Sequence, residues 1–267
     1  AGKVLMNRNA PDYLLGTTKT GYDDSKALIN TWHGKNRLMY AITPRFAPTS
    51  TADQLDSAAA LWSEHPDCYM QTHVSENKGE IAWVKELFPE RKGYLDVYDH
   101  HNLCRPRAVF GHGIHLDDDE MQCMHATGSA ISHCPTSNFF LGSGYFNIHR
   151  AMDKRRPVRV GLGTDLGAGT SFSILLTLNE AYKAAQLNNN KLTAGQAYYL
   201  ATRGTAHSMY IEDKVGSIAP GMEADIVVLN MKSTPIIEYR MQFAEDIHEA
   251  LFIQMTLGDD RAVHATY

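Results

Sequence analysis

Cys68–Glu76 reads CYMQTHVSE, an apolar, strand-like run that ends in His73, with Glu76 three residues later. A strand buried on both faces tends to be continuously apolar, so a histidine at its C-terminal end breaks the pattern. In a parallel α/β barrel, that end of each strand is where the chemistry is assembled. Five further runs share this character: GKVLM (Gly2–Met6), RLMYAITPRF (Arg37–Phe46), AVFGHGIHL (Ala108–Leu116), SAISHCP (Ser129–Pro135) and VRVGLGTD (Val158–Asp165). Helix-compatible stretches lie between them. Ser50 or Thr51 can cap TSTADQLDSAAALWSEH, SENKGEIAWVKELFPE follows the third run, and LDDDEMQCMHATG carries acids in its first turn, as the helix dipole prefers. GTSFSILLTLNEAYKAAQL follows the sixth. Strands and helices alternating in this way predict βα units and a parallel sheet. Six units are legible.

From about Ile211 the pattern changes. KVGSIAPGMEADIVVLN places Gly-Ser and Pro-Gly turn signals around a short strand, followed by the apolar run Ile226–Leu229, and ALFIQMTLGDDRAV offers one or two more strands. The expected organisation is therefore α/β: a barrel-like domain over residues 1–210 and part of a small β domain over 211–267.

Composition narrows the function classes. The chain has 267 residues, 43% of them hydrophobic, enough for a sizeable core. A net charge of −5 offers no basic field for nucleic acid. No run approaches the roughly 18 consecutive apolar residues of a membrane span. The four cysteines, Cys68, Cys104, Cys123 and Cys134, have no C-x-x-C spacing, which argues against a zinc ribbon or a redox dithiol and favours a reducing, cytoplasmic setting.

Taken in order, the ends of the putative strands present Arg45 and Phe46, then His73 and Glu76, then His112 and His115, then His133, then Asp165. Histidine and aspartate from different strands form an N/O site that suits zinc and leaves a position open for water. Zinc lowers the pKa of a bound water from about 15.7 to about 7, and a neighbouring glutamate can carry the proton to a leaving amine. A single strand-end histidine is more often a hydrogen-bonded structural residue than a ligand; five polar ends in succession favour a site. HCP at His133–Pro135 reads equally as support for that site or as packing. DHHN (Asp99–Asn102) reads as a loop after a helix and HLDDDE as a solvated helix start. GLGTD lacks the glycines of a phosphate loop.

QTHVSE, GHGIHL, SHCPTSN and GLGTDLGAG, in this order, resemble the amidohydrolase superfamily of metal-dependent (β/α)8 TIM-barrel hydrolases, and GSIAPGMEADIVVLN resembles the strand pair closing that superfamily's small β-sandwich. NRNAPD, WHGKNRLMYAITPRFAPTST, QTHVSEN and TLGDDRAV narrow the resemblance to the guanine deaminases. The resemblance implies hydrolytic deamination of guanine, with His73 and Asp165 as zinc ligands and Glu76 as the proton shuttle. His112 would orient the water or the purine, and Asp165 would also act as a base. Arg45 would hydrogen-bond the purine while Phe46 packs on its ring; a planar guanidinium fork and an aromatic face suit a flat, polar-edged base. The strand that would supply a bridging carboxylated lysine ends in Pro44-Arg45-Phe46, so one zinc ion is expected, and a homodimer is the expected assembly.

The pattern also departs from that family. Its H-x-H pair of zinc ligands occurs nowhere among the thirteen histidines. AGKVLMNRNAP resembles the end of the third barrel strand, so two βα units and half of the β-sandwich are expected to be missing. An eight-stranded barrel takes about 250 residues, against residues 1–210 here. Competing readings are a deaminase or chlorohydrolase acting on another ring, such as a cytosine-like or triazine ring, and a non-catalytic fragment that self-associates through exposed barrel edges. The cytidine-deaminase type is disfavoured, because its P-C-x-x-C zinc signature is absent.

Overall fold

The computed structural model describes Gly2–Tyr267. The chain divides into two compact units, one ending at Ile131 and the other Ser132–Tyr267. Six strands, β1 (Val4–Leu5), β2 (Ala41–Pro44), β3 (Tyr69–Val74), β4 (Ala108–His112), β5 (Ala130–His133) and β6 (Arg159–Leu162), follow one another in the sheet in sequence order. Each falls inside one of the six runs read from the sequence, except that β3 continues one residue past His73 to Val74.

In the first unit β1 pairs with β2, β2 with β3 and β3 with β4, all parallel. The β3–β4 register sets His73 opposite Gly111 and Val74 opposite His112. Helices α1 (Thr18–Trp32), α2 (Ala52–Glu64), α3 (Lys78–Leu87), α4 (Tyr94–His100) and α5 (Asp118–Thr127) connect the strands. Their starts are chemically specified. Thr51 caps α2 through the Gln54 N–H, while Asn77 with Glu80 and Asp117 with Glu120 close capping boxes on α3 and α5. Ile42, Leu55, Leu61, Trp62, Met70, Val97 and Phe110 are buried in this unit's core, where apolar burial supplies the main drive to fold.

The second unit holds β6 with α6 (Pro135–Phe140), α7 (Ile148–Ala151), α8 (Ile174–Leu187), α9 (Ala194–Tyr199), α10 (Thr205–Ser208), α11 (Pro235–Met241) and α12 (Ile247–Leu257). A separate two-stranded antiparallel sheet pairs β7 (Val227–Leu229) with β8 (Val263–Thr266). The run Ile226–Leu229 thus supplies β7, and Val263, the last residue of ALFIQMTLGDDRAV, opens β8; the remaining strand expectations need correction. Residues 216–220 form no strand among the described residues. ALFIQMTL is the body of α12: Asp246 caps it through the Glu249 N–H, and the Asn179 amide of α8 donates to the Thr256 carbonyl at 2.7 Å. A short apolar run fits a strand or a buried helix equally well by periodicity; here the cap and the packing on α8 decide. No helix of the described residues is long and apolar enough to cross a membrane.

Candidate active site

Arg45 and Phe46 leave β2 directly. The Arg45 guanidinium lies 4.6 Å from the Phe46 ring centroid, and that ring meets His73 at 6.0 Å and Trp83 of α3 edge-on at 6.4 Å. The result is an aromatic wall with a planar cation at its edge.

His73, the penultimate residue of β3, has its ring fixed by the backbone. Its Nδ1 stands 2.6 Å from the Arg45 carbonyl oxygen, which can only accept, so Nδ1 carries the proton. The other nitrogen, Nε2, is left as the basic one. Histidines that ligate metals are commonly prepared in this way, the far N–H donating to a carbonyl. The His73 ring stacks on that of His112, with centroids 5.4 Å apart and planes 26° apart. His112 is buried, and its Nε2 lies 3.7 Å from a Glu76 carboxylate oxygen.

The turns carrying these side chains are strained. His112 has φ 70° and Ser75 φ 46°, left-handed values that non-glycine residues adopt at a cost of about 1–3 kcal/mol. Two hydrogen bonds hold them there: Gly113 N–H to Val74 O at 3.0 Å and His115 N–H to Ser75 O at 3.1 Å. Gly113 also has φ 58°, and a methyl on its Cα would sit 3.2–3.3 Å from Leu116 and Ile131, so glycine suits the turn both conformationally and sterically.

Beneath the site lies a residue that sequence reasoning missed. The fully buried Tyr98 hydroxyl accepts the Ala47 N–H at 2.8 Å and the Thr72 hydroxyl at 3.1 Å, and donates to the His73 carbonyl at 2.8 Å. It thereby ties the end of β2 to the end of β3. Burial pushes its phenol above the ordinary tyrosine range, so it stays neutral and able to donate. Next to it, Tyr94 donates to the buried Glu80 carboxylate, whose pKa is raised chiefly by burial. Trp83 was missed as well; its only sequence signal is a position six residues beyond the Asn77 cap of α3. DHHN is not a simple loop: Asp99 and His100 belong to the last turn of α4, and the buried His101 meets Asp56 at 2.6 Å.

Asp165 belongs to the second unit, three residues past β6, with φ 47°. Its turn closes through the Gly169 N–H on the Asp165 carbonyl at 2.5 Å, and a Cβ on Gly169 would collide with Thr164 O at 1.9 Å. Only glycine fits there. His133 ends β5 and packs on Phe146, with centroids 5.0 Å apart. A groove of about 650 Å³ in the second unit, lined by Arg240, Phe243, His248, Glu249 and Phe252 among others, contains none of the sequence-predicted residues.

The first unit thus assembles Arg45, Phe46, His73, Glu76 and His112, and the second carries Asp165. Among the described residues, neither group of three metal-ligating side chains includes His73 or Asp165.

Residues 1–258 match the profile of the amidohydrolase family. The chain belongs to the amidohydrolase family. It is 51% identical over its whole length to the guanine deaminase of Escherichia coli strain K12, covering 60% of that protein. To a probable guanine deaminase of Deinococcus radiodurans it is 37% identical over 97% of the chain and 59% of the relative. The solved structure of the E. coli guanine deaminase superposes on the whole chain with a TM-score of 0.97, over 62% of the solved chain. A guanine deaminase from C. acetobutylicum with guanine bound in its active site matches the whole chain at 30% identity and a TM-score of 0.89, over 63% of its own chain. The chain therefore spans about 60% of the length of the curated relatives it matches.

Proposed function

We propose that this chain carries the purine-binding and proton-transferring part of a guanine deaminase, in which guanine and water give xanthine and ammonia. One observation carries the reading: the His73 ring is locked by the Arg45 carbonyl with Nε2 as its basic nitrogen, beside the His112–Glu76 pair and under the Arg45–Phe46 edge. The names of the relatives and the guanine-bound neighbour support the choice of substrate.

The donor chemistry of His73 fits a zinc ion. His73 and Asp165 would hold it, and when bound it supplies Lewis acidity that makes a water acidic near neutral pH. Glu76 takes a proton from the attacking water and returns it to the departing amine. His112, held close to Glu76 and stacked on His73, orients the water or the purine edge. Asp165 accepts a second hydrogen bond or proton from the same water. Arg45 donates to the purine's acceptors, and Phe46, braced by Trp83, covers the flat face of the ring. As part of the same reading, residues 1–210 are barrel and 211–267 belong to the accompanying β domain. The setting is a reducing cytoplasm, in keeping with four free cysteines, and the protein self-associates as a dimer, in keeping with the exposed side chains of Tyr13, Phe172 and Ile218.

The test joins this chain to the portion of E. coli guanine deaminase that the match leaves uncovered, and follows xanthine formation and zinc content. Glu76→Gln should keep its zinc and lose roughly 10²–10⁴-fold in rate, the usual contribution of a positioned acid/base. Loss of zinc together with rate would make Glu76 a ligand or its support, and the assignment would be wrong.

A further inference from the structure

Among the described residues, two places in the first unit gather three metal-ligating side chains with donor atoms within 4.8 Å of one another: His33, Asp67 and Cys68, and Asp99, Cys104 and Cys123. The first group is already committed. His33 Nδ1 accepts the Tyr40 N–H at 3.0 Å, so the ring proton sits on Nε2, which meets the Asp67 carboxylate at 2.9 Å. An imidazole ligand needs a lone pair, and both nitrogens are in use. Cys68 is wholly buried, and burial pushes its thiol up to about 11.

The second group has no histidine to commit and is open to solvent on one side, while its Cys104 thiol is raised by its neighbouring thiol and by burial, as burial raises that of Cys68. Asp99 lies in the exposed last turn of α4, Cys104 is buried in the loop leading to β4, and Cys123 is half-buried on α5. The two sulfurs and an Asp99 carboxylate oxygen all lie within 4.8 Å of one another. In a tetrahedral zinc site with zinc–sulfur bonds of about 2.3 Å, neighbouring sulfurs stand about 3.8 Å apart. Donors already within 4.8 Å therefore need to move by no more than about 1 Å to reach that geometry. Two sulfurs and one carboxylate oxygen form a soft donor set that selects zinc-class ions over magnesium or calcium.

We propose that Asp99, Cys104 and Cys123 form a binding site for a soft divalent cation of the zinc class, with water on the exposed Asp99 side as the fourth ligand. Binding releases the protons of both thiols to solvent; two thiolates and a carboxylate around a dication leave a net charge of minus one. The ion ties the end of α4 and the loop before β4 to α5. The site is separate from the candidate active centre, because β4 lies between them: Cys104 precedes its first residue, whereas His112 is its last. The four steps from Ala108 to His112 alone span roughly 13 Å.

The experiment uses the 267-residue chain, reduced and stripped of metal with a chelator. It is titrated with cadmium while the ultraviolet thiolate-to-cadmium charge-transfer absorption is followed. Nitrogen and oxygen ligands such as His73 and Asp165 give no such band, so the readout reports thiolates alone. One equivalent of cadmium per chain should develop the band, and added zinc should displace it. Cys123→Ser and Cys104→Ser should each abolish tight binding. Asp99→Asn should keep the band and weaken affinity by roughly tenfold or more, at least what losing a ligand's support costs. Cys104 is buried, so if Cys104→Ser fails to fold, the half-buried Cys123 and exposed Asp99 variants still decide. A band that survives unchanged in Cys123→Ser, or a folded, fully reduced parent that binds no cadmium, overturns the proposal.

Discussion

Removing one oxygen atom, by Tyr98→Phe, should destabilise the chain by about 2–4 kcal/mol. The ring stays, so no cavity opens, and the effect comes from hydrogen bonding alone. The Tyr98 hydroxyl is the acceptor for the buried Ala47 N–H and the donor to the His73 carbonyl, both at 2.8 Å. Leaving a buried donor unsatisfied costs about 1–3 kcal/mol, and losing a neutral hydrogen bond at a carbonyl costs about 0.5–1.5 kcal/mol. The Thr72 hydroxyl is spared, because the Arg45 carbonyl lies 3.2 Å away as an alternative acceptor. Equilibrium urea unfolding should show a lower midpoint at an unchanged slope, the signature of lost stability without a change in compactness. By melting, a loss of about 3 kcal/mol corresponds to roughly 6–12 °C in a domain of 150–250 residues. Tyr239→Phe, at an exposed phenol, is the control and should stay within about 0.5 kcal/mol of the parent. A Tyr98→Phe change no larger than that control would refute the reasoning. The tie between β2 and β3 would then not depend on this hydroxyl.

Glu80 makes stability depend on pH, and the sign follows from its raised pKa. A carboxyl raised by burial contributes stability that is fully present below its unfolded value and is lost as pH rises through the folded one. Unfolding curves of Glu80→Gln and parent should therefore diverge in favour of the variant as pH climbs from below about 4.5 towards neutrality; a constant difference would contradict the burial argument. Asn77→Ala removes the acceptor for the Glu80 N–H at 2.8 Å and should cost about 1 kcal/mol in urea, with Asn77→Ser recovering most of it. In the joined protein described above, Arg45→Ala should lower guanine kcat/KM by roughly 10²-fold, since a buried polar edge of the purine loses its partner. Unchanged guanine kinetics would remove Arg45 from the site.

The six strands were legible because apolar runs of strand length alternate with capped, helix-compatible segments, and both signals are local. Thr51, Asn77 and Asp117 each announce a helix within four residues of sequence. The strand-end positions of Arg45, His73, His112 and Asp165 were legible for the same reason, since a polar residue closing an apolar run is visible without a fold. The stretch from Ala250 to Leu257 was misread as strand because an apolar run of that length satisfies either period, and its contact with α8 is far away in the chain. Only the tertiary structure shows which nitrogen of His73 is basic, because the deciding acceptor, the Arg45 carbonyl, lies 28 residues upstream. Tyr98 was invisible because its partners Ala47 and Thr72 lie 51 and 26 residues away. Cys104 and Cys123 carry no ligand spacing in sequence, yet the packing of α4, the loop before β4 and α5 brings both thiols to Asp99. Local chemistry writes elements and their ends into a sequence; the partners of a buried polar atom are chosen by long-range packing, and only the folded chain brings them together.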